Sequence, residues 1–400
     1  MKKLMLLGGS AQQVVAIEKA KELGYFTILC DYLPDNPGRF VTHKFYQIST
    51  TDKSKVLEVA EKEGIDGIVA YASDPAASTA AYVAEQLGLP TNSYFSVDIL
   101  GEKHKFRKFL NENNFNCPKS HSFSTYDEVE NSIRDFNFPI MVKPTDSSGS
   151  KGITKVENLS ELPKAFDYAL SFSRNKVIVI EEYIQRTNDF VIGGDIFVLD
   201  GKIVFWGLLN CHRDNKVNPL VPVGKSWPVL VSNKQMTVIK ETEQRLMDLL
   251  NIKFGAFNVE MIFAEDDQLY IIENGPRNGG NMIPDLLKMI YGFDMVEATI
   301  KCAMGDFDIP LDFKENGVFA THNLHSSKNG ILKEITFSDE LKKYIVEQKI
   351  YVSPGDEIYY FDGANKALGI IFLKFDDEKT MWYVLNNINN EISILVDEIA

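Results

Sequence analysis

The chain has few cysteines: Cys30, Cys117, Cys211 and Cys302 are far apart in its 400 residues. They show no paired spacing and so predict neither a zinc site nor a disulfide framework, which favours a reducing compartment, with the cytoplasm as the expected location. Long hydrophobic runs are also absent. Because no segment approaches about eighteen consecutive apolar residues, the sequence predicts no membrane span.

Positive charge is in deficit, since 42 Lys and Arg residues face 56 Asp and Glu residues and the formal net charge is −14. A polyanion needs a basic surface, so this balance argues against nucleic-acid binding. Any phosphate group must then be met by local cations. A hydrophobic content of 44% is sufficient for a sizeable core, and the length favours two to four domains.

Residues 1–100 alternate between strand-like and helix-like segments, which predicts a small parallel α/β sheet. Its first strand ends at Gly8-Gly9-Ser10-Ala11-Gln12-Gln13. This segment does not complete the G-x-G-x-x-G pattern of dinucleotide folds. It therefore predicts a tight turn that needs glycine rather than a phosphate site.

Two carboxylates flank a predicted hairpin turn. The segments 257–263 and 269–273 are apolar and β-prone, and a two-residue turn at Asp266 and Asp267 would place Glu260 directly opposite Glu273. Facing carboxylates repel each other unless a cation lies between them. Mg²⁺ prefers one or two carboxylates together with substrate phosphates, so the hairpin is typical of a metal–nucleotide site. A solvated hairpin in a slipped register is the alternative.

Lys143 ends an apolar strand and precedes a loop of small residues, 145–152. Such a loop exposes backbone N–H groups and hydroxyls that can surround phosphate oxygens, and its glycines permit close approach. The loop is not a Walker sequence. An ordinary Gly/Ser hairpin loop remains the alternative.

A second acidic strand end offers groups suited to a nucleoside. Glu182 and Ile184 could meet adenine through their backbone, and Asp189 could meet ribose hydroxyls. Arg277 follows the glutamate hairpin, and its planar guanidinium matches phosphate oxygens. The alternative for Arg277 is a salt bridge to one of the two glutamates. The two roles are compatible.

Four residues outside these motifs are candidates for substrate binding. His212 and Arg213 could hold a carboxylate, while His322 and His325 follow the nucleotide region. Surface or core histidines are the simpler interpretation of all three imidazoles. Arg213 is the preferred substrate contact.

The order of these elements resembles the ATP-grasp superfamily of carboxylate-amine ligases, which includes biotin carboxylase, D-alanine:D-alanine ligase and carbamoyl phosphate synthetase. The order is a helix lysine, a strand lysine, a Gly/Ser loop, an acidic strand end and a glutamate hairpin that closes in E-x-x-P-R. The resemblance covers nearly the whole chain. It implies a Rossmann-like pre-ATP-grasp α/β domain over residues 1–100 and an ATP-grasp domain of two α+β subdomains over 101–310, with a lid at about 120–186. Apart from the resemblance, short strands broken by glycine and proline from about Gly317 onward predict a β-rich C-terminal domain over 311–400.

The resemblance also implies a role for each matching residue. Lys103 and Lys143 match the phosphate-contacting lysines, Glu260 and Glu273 the magnesium-binding acids, and Arg277 the arginine that supports the acyl phosphate. The remaining nucleotide contacts belong to the flexible loop, the adenine hinge and the ribose acid: Ser147, Ser148, Gly149, Ser150, Gly152, Glu182, Tyr183, Ile184 and Asp189.

Two positions depart from the family pattern. Gly275 stands where a metal-binding asparagine is usual, so the number of bound Mg²⁺ ions is open, with Asn274, Asn278 or Asn281 as substitutes. Residues 186–188, Arg-Thr-Asn, replace a glycine that often follows the hinge.

The implied function is an ATP-dependent carbon–nitrogen ligase that acts through an acylphosphate on an amino acid or small metabolite. Its cofactors would be ATP and Mg²⁺, with Mn²⁺ as a substitute. Its partners would be small-molecule carboxylate and amine substrates and a second copy in a homodimer, without nucleic acid or membrane. An ATP-dependent phosphotransferase and a nucleotide-binding regulatory module are the alternatives.

Overall fold

The computed structural model describes residues 1–147 and 149–397, apart from the side chain of Asp266. The N-terminal region forms a parallel four-stranded sheet in the order β3-β2-β1-β4, which confirms the predicted α/β unit. Its strands are β1 (Lys3–Leu7), β2 (Phe26–Asp31), β3 (Lys44–Gln47) and β4 (Gly67–Val69). Its helices are α1 (Val14–Glu22), α2 (Lys53–Glu63), α3 (Asp74–Gln86) and α4 (Tyr94–Gly101).

The glycine turn after β1 is a tight turn, as predicted. Gly8 has a φ of 104°, in the left-handed region that favours glycine. The backbone N–H of Gly9 donates to Asp31 Oδ2 at 2.7 Å, and that of Ser10 donates to Gln13 Oε1 at 2.9 Å. The N–H groups of Gly9 and Ser10 are therefore already hydrogen-bonded to side chains of the protein and are not available to a phosphate.

The next region begins with helix α5 (Lys103–Glu112) and continues into an antiparallel four-stranded sheet in the order β5-β8-β6-β7. The strands are β5 (Ser120–Phe123), β6 (Ile140–Pro144), β7 (Thr154–Val156) and β8 (Ile178–Glu182). Helices α6 (Tyr126–Ser132) and α7 (Leu162–Phe172) cover the apolar face of this sheet, and the other face carries Lys143 and Glu181.

The remaining elements complete two further sheets. The strands are β9 (Val191–Leu199), β10 (Lys202–Asp214), β11 (Asn218–Trp227), β12 (Gly255–Phe263), β13 (Leu269–Gly275), β14 (Val318–Leu324), β15 (Gly330–Phe337), β16 (Ile345–Ile350), β17 (Glu357–Ile358), β18 (Gly369–Phe375) and β19 (Ile392–Asp397). The helices are α8 (Asn233–Leu249), α9 (Ile283–Tyr291), α10 (Met295–Ala303), α11 (Asp339–Lys342) and α12 (Glu378–Glu391).

The larger sheet has eight strands in the order β13-β12-β9-β10-β11-β14-β18-β16, and β17-β15-β19 form a small separate sheet. Asp200-Gly201, a dipeptide that suits a two-residue turn, joins β9 to β10 in a hairpin in which Lys202 pairs with Leu199. The C-terminal region is rich in strands, yet its 14-residue helix α12 has no counterpart in the sequence prediction. The large sheet continues across position 311 through the pairing of β11 with β14.

The core consists of several apolar clusters, the largest of which packs helix α8 against strands of the eight-stranded sheet. None of the helices in the described parts of the chain combines the length and apolar character needed to cross a membrane.

Candidate active site

Glu260 and Glu273 are paired across β12 and β13, as the sequence predicts. The predicted two-residue turn is wrong, because residues 265–267 form a 3-10 turn that is closed by a hydrogen bond of 2.9 Å from Ala264 N to Gln268 O. That turn alone would offset the pair by one residue. A register shift between Glu260 and Met261 makes Ile272 an extra residue and restores the pairing.

Glu260 has cationic neighbours in the folded chain. Its Oε1 lies 3.5 Å from Arg213 Nη2 and 3.9 Å from Lys225 Nζ. Burial on its own would raise the pKa of Glu260, but these two cations outweigh it and hold the pKa below its ordinary value. Glu260 is therefore ionised and partly neutralised by the protein.

Glu273 lacks the close cations that surround Glu260. No Lys, Arg or His nitrogen of the described residues lies within 4.0 Å of the Glu273 carboxylate. Burial raises the pKa of Glu273, Lys103 opposes this effect, and Asp74 reinforces it. A carboxylate with this surrounding favours an added cation, since the protein supplies no close partner.

Arg277 forms its ion pair with Asp74 of the N-terminal region, so the alternative interpretation, a salt bridge to one of the two glutamates, is wrong. Its Nε and Nη2 donate to Asp74 Oδ1 and Oδ2 at 2.7 and 2.6 Å. This bidentate geometry is the strong form of an arginine–carboxylate pair. The pair links the first turn of α3 to the loop after β13.

The loop after Arg277 is anchored from two directions. The buried Asp195 accepts hydrogen bonds from Gly279 N at 2.7 Å and Asn258 Nδ2 at 2.9 Å. Burial raises the pKa of Asp195 to about 6. From the N-terminal region, Gln12 Oε1 accepts a hydrogen bond of 2.7 Å from Asn281 N.

Lys143 lies in a buried charge cluster on the face of the β5-β8-β6-β7 sheet that α6 and α7 do not cover. Its Nζ donates to Glu181 Oε2 at 2.6 Å, while Arg107 Nε donates to Glu181 Oε1 at 2.7 Å. Burial alone would raise the pKa of Glu181, but the two cations lower it to about 2. Burial lowers the pKa of Lys143, against the effect of Glu181. The sequence of helix α5 is typical of a solvated amphipathic helix, whereas Arg107 on that helix is only 2% exposed.

Arg107 also contacts the glutamate hairpin. Its Nη2 donates a hydrogen bond of 2.8 Å to the carbonyl oxygen of Ile272, the extra residue in β13. A single buried side chain thus connects the Lys143 cluster to the irregularity that sets the position of Glu273.

Lys103 points toward the Gly/Ser loop, where its Nζ donates to the carbonyl oxygen of Ser147 at 2.6 Å. Ser150 has a φ of 62°, and its Oγ donates to Leu220 O at 2.9 Å. Gly149 and Gly152 also have positive φ values, of 69° and 74°. Ser148, a predicted phosphate contact, lies outside the described residues.

The predicted adenine hinge has one backbone donor available. The N–H groups of Glu182 and Tyr183 donate to Lys119 O and Pro139 O at 2.9 and 3.0 Å, whereas Ile184 N–H has no acceptor among the described residues. The Glu182 carboxylate accepts from Asn137 N at 2.9 Å. Asp189 is exposed nearby.

His212 and His325 have polar neighbours inside the protein, and His322 is buried. His212 Nε2 lies 2.8 Å from Ser226 Oγ, and its ring packs against Phe190. His325 Nε2 lies 3.3 Å from Asp214 Oδ2. Strand alternation places His212 on the sheet face opposite to Arg213, and only Arg213 reaches Glu260.

The asparagines that could substitute as metal ligands have other surroundings. Asn274 donates to Glu243 Oε2 at 2.7 Å on the sheet face opposite to Glu273. Asn278 is fully buried, and its amide atoms lack hydrogen-bond partners among the described residues. Asn281 Oδ1 lies 3.4 Å from Gln12 Nε2. No contact in the described chain joins any of the three to the glutamate pair.

Four residues of the site are not singled out by sequence reasoning: Asp74, Arg107, Glu181 and Lys225. A signal exists for two of them. Asp74 is an acid in the first turn of a helix that has proline at its start, and Arg107 follows Phe106 on the apolar side of α5. Lys225 is 4% exposed, and its Nζ lies 2.7 Å from Cys211 Sγ.

Half of the chain matches a known family. The family described as "Carbamoyl-phosphate synthase L chain, ATP binding domain" matches residues 102–309. The chain belongs to this family. This membership confirms the predicted ATP-grasp relationship, and the match includes Lys103, Lys143, both glutamates and Arg277.

Two relatives illustrate the extent of the similarity. The carbamoyl phosphate synthase large chain of Thermoanaerobacter sp. (strain X514) is 27% identical over 255 residues, which cover 62% of this chain but 23% of the relative. The chain thus spans about a quarter of that enzyme. Formate-dependent phosphoribosylglycinamide formyltransferase of Bacillus velezensis is 26% identical over 289 residues, 69% of this chain and 71% of the relative.

Solved structures with the same fold align over nearly the whole chain. An L-amino acid ligase from Bacillus licheniformis has a TM-score of 0.82 at 18% identity and covers 100% of this chain and 99% of its own. A phosphoribosylglycinamide synthetase from Anaerococcus prevotii has a TM-score of 0.76 at 24% identity, covering 99% and 100%. These similarities confirm the fold, including the N-terminal and C-terminal regions that flank the matched family domain.

Proposed function

We propose that the protein is an ATP-dependent ligase that joins a carboxylate to an amine through an acylphosphate. The observation that carries the proposal is the pairing of Glu260 with Glu273 across β12 and β13. The family match over residues 102–309 supports it. Transfer of a phosphoryl group needs positioning and charge neutralisation more than a protein nucleophile.

ATP would lie between the four-stranded sheet β5-β8-β6-β7 and the eight-stranded sheet. The N–H of Ile184, for which the described residues supply no acceptor, would meet the adenine ring, with Glu182 and Tyr183 beside it, and Asp189 would meet the ribose. Lys103 and Lys143 would contact phosphate oxygens. The Gly/Ser loop, with Ser147, Gly149, Ser150 and Gly152, would close over the phosphates and exclude water, as an unstable acylphosphate requires.

Glu260 and Glu273 are suited to hold Mg²⁺, with Mn²⁺ as a substitute, because facing carboxylates on neighbouring strands form a hard oxygen donor set. The bound ion would neutralise charge on the phosphates during transfer. Arg277 would hold the transferring group through its guanidinium, for which its bidentate pair with Asp74 fixes the orientation.

Arg213 is the proposed contact for the substrate carboxylate. A carboxylate oxygen would attack the γ-phosphorus of ATP, and the bond to the β-phosphate oxygen would break to release ADP. The amine nitrogen would then attack the acyl carbon, expel inorganic phosphate and lose a proton. The substrates are proposed to be amino acids or other small metabolites, and the active form a cytoplasmic homodimer.

The test is Mg-ATP turnover with pooled amino acids and small carboxylates, with measurement of ADP, free phosphate and new product masses. ADP, phosphate and a condensed product in equal amounts are expected. A phosphorylated product without free phosphate would instead identify a phosphotransferase. Nucleotide binding without turnover in any pool would favour the regulatory module.

A further inference from the structure

The glutamate pair is asymmetric in charge. Glu260 has two cations of the protein within 3.9 Å, whereas Glu273 has none within 4.0 Å among the described residues. The side chains of Arg213 and Lys225 are 13% and 5% exposed, so both are held near Glu260 by the fold. The positive charge that one metal ion would bring to Glu260 is thus already present.

The space beside Glu273 is also filled. Gly275 lies two residues along β13, so a side chain at this position would project from the same face as Glu273. A Cβ atom built on Gly275 would lie 2.5 Å from Asp74 Oδ1 and 3.3 Å from Arg277 Nε. Because both Asp74 oxygens accept from Arg277, this carboxylate is held in place.

From this charge and this space we infer that the site binds a single divalent cation, with Glu273 as its principal protein ligand. Phosphoryl-transfer sites that use two ions clamp both reacting oxygens between them. Here Lys225 and Arg213 take the place of one ion at Glu260. The Asp74–Arg277 pair closes the position beside Gly275. This inference rests on the proposed function, because it concerns the same metal–nucleotide site.

The number of bound ions is measurable without turnover. Mn²⁺ would be titrated into the protein with one equivalent of the non-hydrolysable ATP analogue AMP-PNP, and free Mn²⁺ would be followed by electron paramagnetic resonance. Titrations of analogue alone and protein alone would be subtracted, and analogue binding would be measured separately by calorimetry. One Mn²⁺ per protein–nucleotide complex is expected.

The outcomes separate the two proposals. Two Mn²⁺ ions per complex would overturn the single-ion inference and leave the ligase proposal standing. No binding of AMP-PNP with Mn²⁺ would overturn both. One tightly bound ion per complex in the wild type, and loss of that tight binding in Glu273→Gln, would support both proposals.

A double variant tests the role of the filled space. Gly275→Asn alone should lower the melting temperature, because its Cβ meets the held Asp74 carboxylate. Asp74→Ala combined with Gly275→Asn removes that clash, although it also leaves Arg277 without its carboxylate, and the double variant should bind a second Mn²⁺. Gly101→Asn is the matched control, since nothing lies within 4 Å of a Cβ there. A folded double variant that still binds one ion would show that Asp74 does not exclude the second.

Discussion

Glu243 in α8 and Asn274 in β13 meet in a fully buried pair, in which Asn274 Nδ2 donates a 2.7 Å hydrogen bond to Glu243 Oε2. No cation among the described residues compensates this carboxylate, and burial raises the pKa of Glu243 to about 8. Asn274 follows Glu273 in β13, so the pair lies on the sheet face opposite to Glu273.

Glu243 should therefore make stability dependent on pH. The unfolded glutamate loses its proton near pH 4.3, whereas the folded one keeps it to about pH 8. The free energy of unfolding should fall as pH rises between these values, by on the order of 5 kcal/mol from this group. Glu243→Gln should flatten this fall in urea unfolding at pH 5, 7 and 9. The exposed Glu241→Gln on the same helix is the control, and equal pH slopes in all three proteins would refute the assignment.

The two glutamates of the hairpin should respond oppositely to neutral substitution. Glu273→Gln removes a half-buried charge that has no ion pair among the described residues, so the melting temperature should stay unchanged or rise while ATP turnover falls by at least about 100-fold. Glu260→Gln leaves Arg213 and Lys225 without their carboxylate and should lower the melting temperature. Scanning calorimetry with a coupled ADP assay measures both effects. Equal destabilisation by the two substitutions would contradict the asymmetry.

Arg107 should support both stability and the glutamate pair. Arg107→Met removes one partner of the buried Glu181 and the hydrogen bond to Ile272 O, so it should cost about 3 kcal/mol of unfolding free energy. The affinity for Mn²⁺ should weaken as well, because Ile272 sets the position of Glu273. Urea unfolding and Mn²⁺ titration are the measurements, with the exposed Arg134→Met as control. A loss below about 1 kcal/mol would argue against a role for this cluster.

Much of the site is predictable because it is local in sequence. The apolar, β-prone segments on either side of residues 264–268 predict the hairpin, and an assumed two-residue turn gives the pairing of Glu260 with Glu273. The predicted turn is wrong because a 3-10 turn and a bulge at Ile272 compensate each other, and neither has a signal in residue type. The register is therefore predicted correctly through an incorrect turn.

Contacts between distant segments are not predictable from the sequence. Asp74 and Arg277 are 203 positions apart, and their pairing depends on how the N-terminal sheet packs against the loop after β13. Glu181 is visible in the sequence only as part of an acidic strand end, because the two cations that stabilise it belong to α5 and β6. Helix α12 escapes prediction because the glycines and prolines that precede it favour short strands.

The pairing of β11 with β14 has a consequence for how the chain can be divided. A fragment that ends at residue 310 would keep the whole glutamate hairpin, yet it would leave the ten-residue strand β11 with an unpaired edge. Such an edge exposes a row of amide donors and acceptors that can template association between molecules. The segment from β14 onward therefore acts as a cover against self-assembly, and any shortened form of the protein made for crystallisation or screening should retain it.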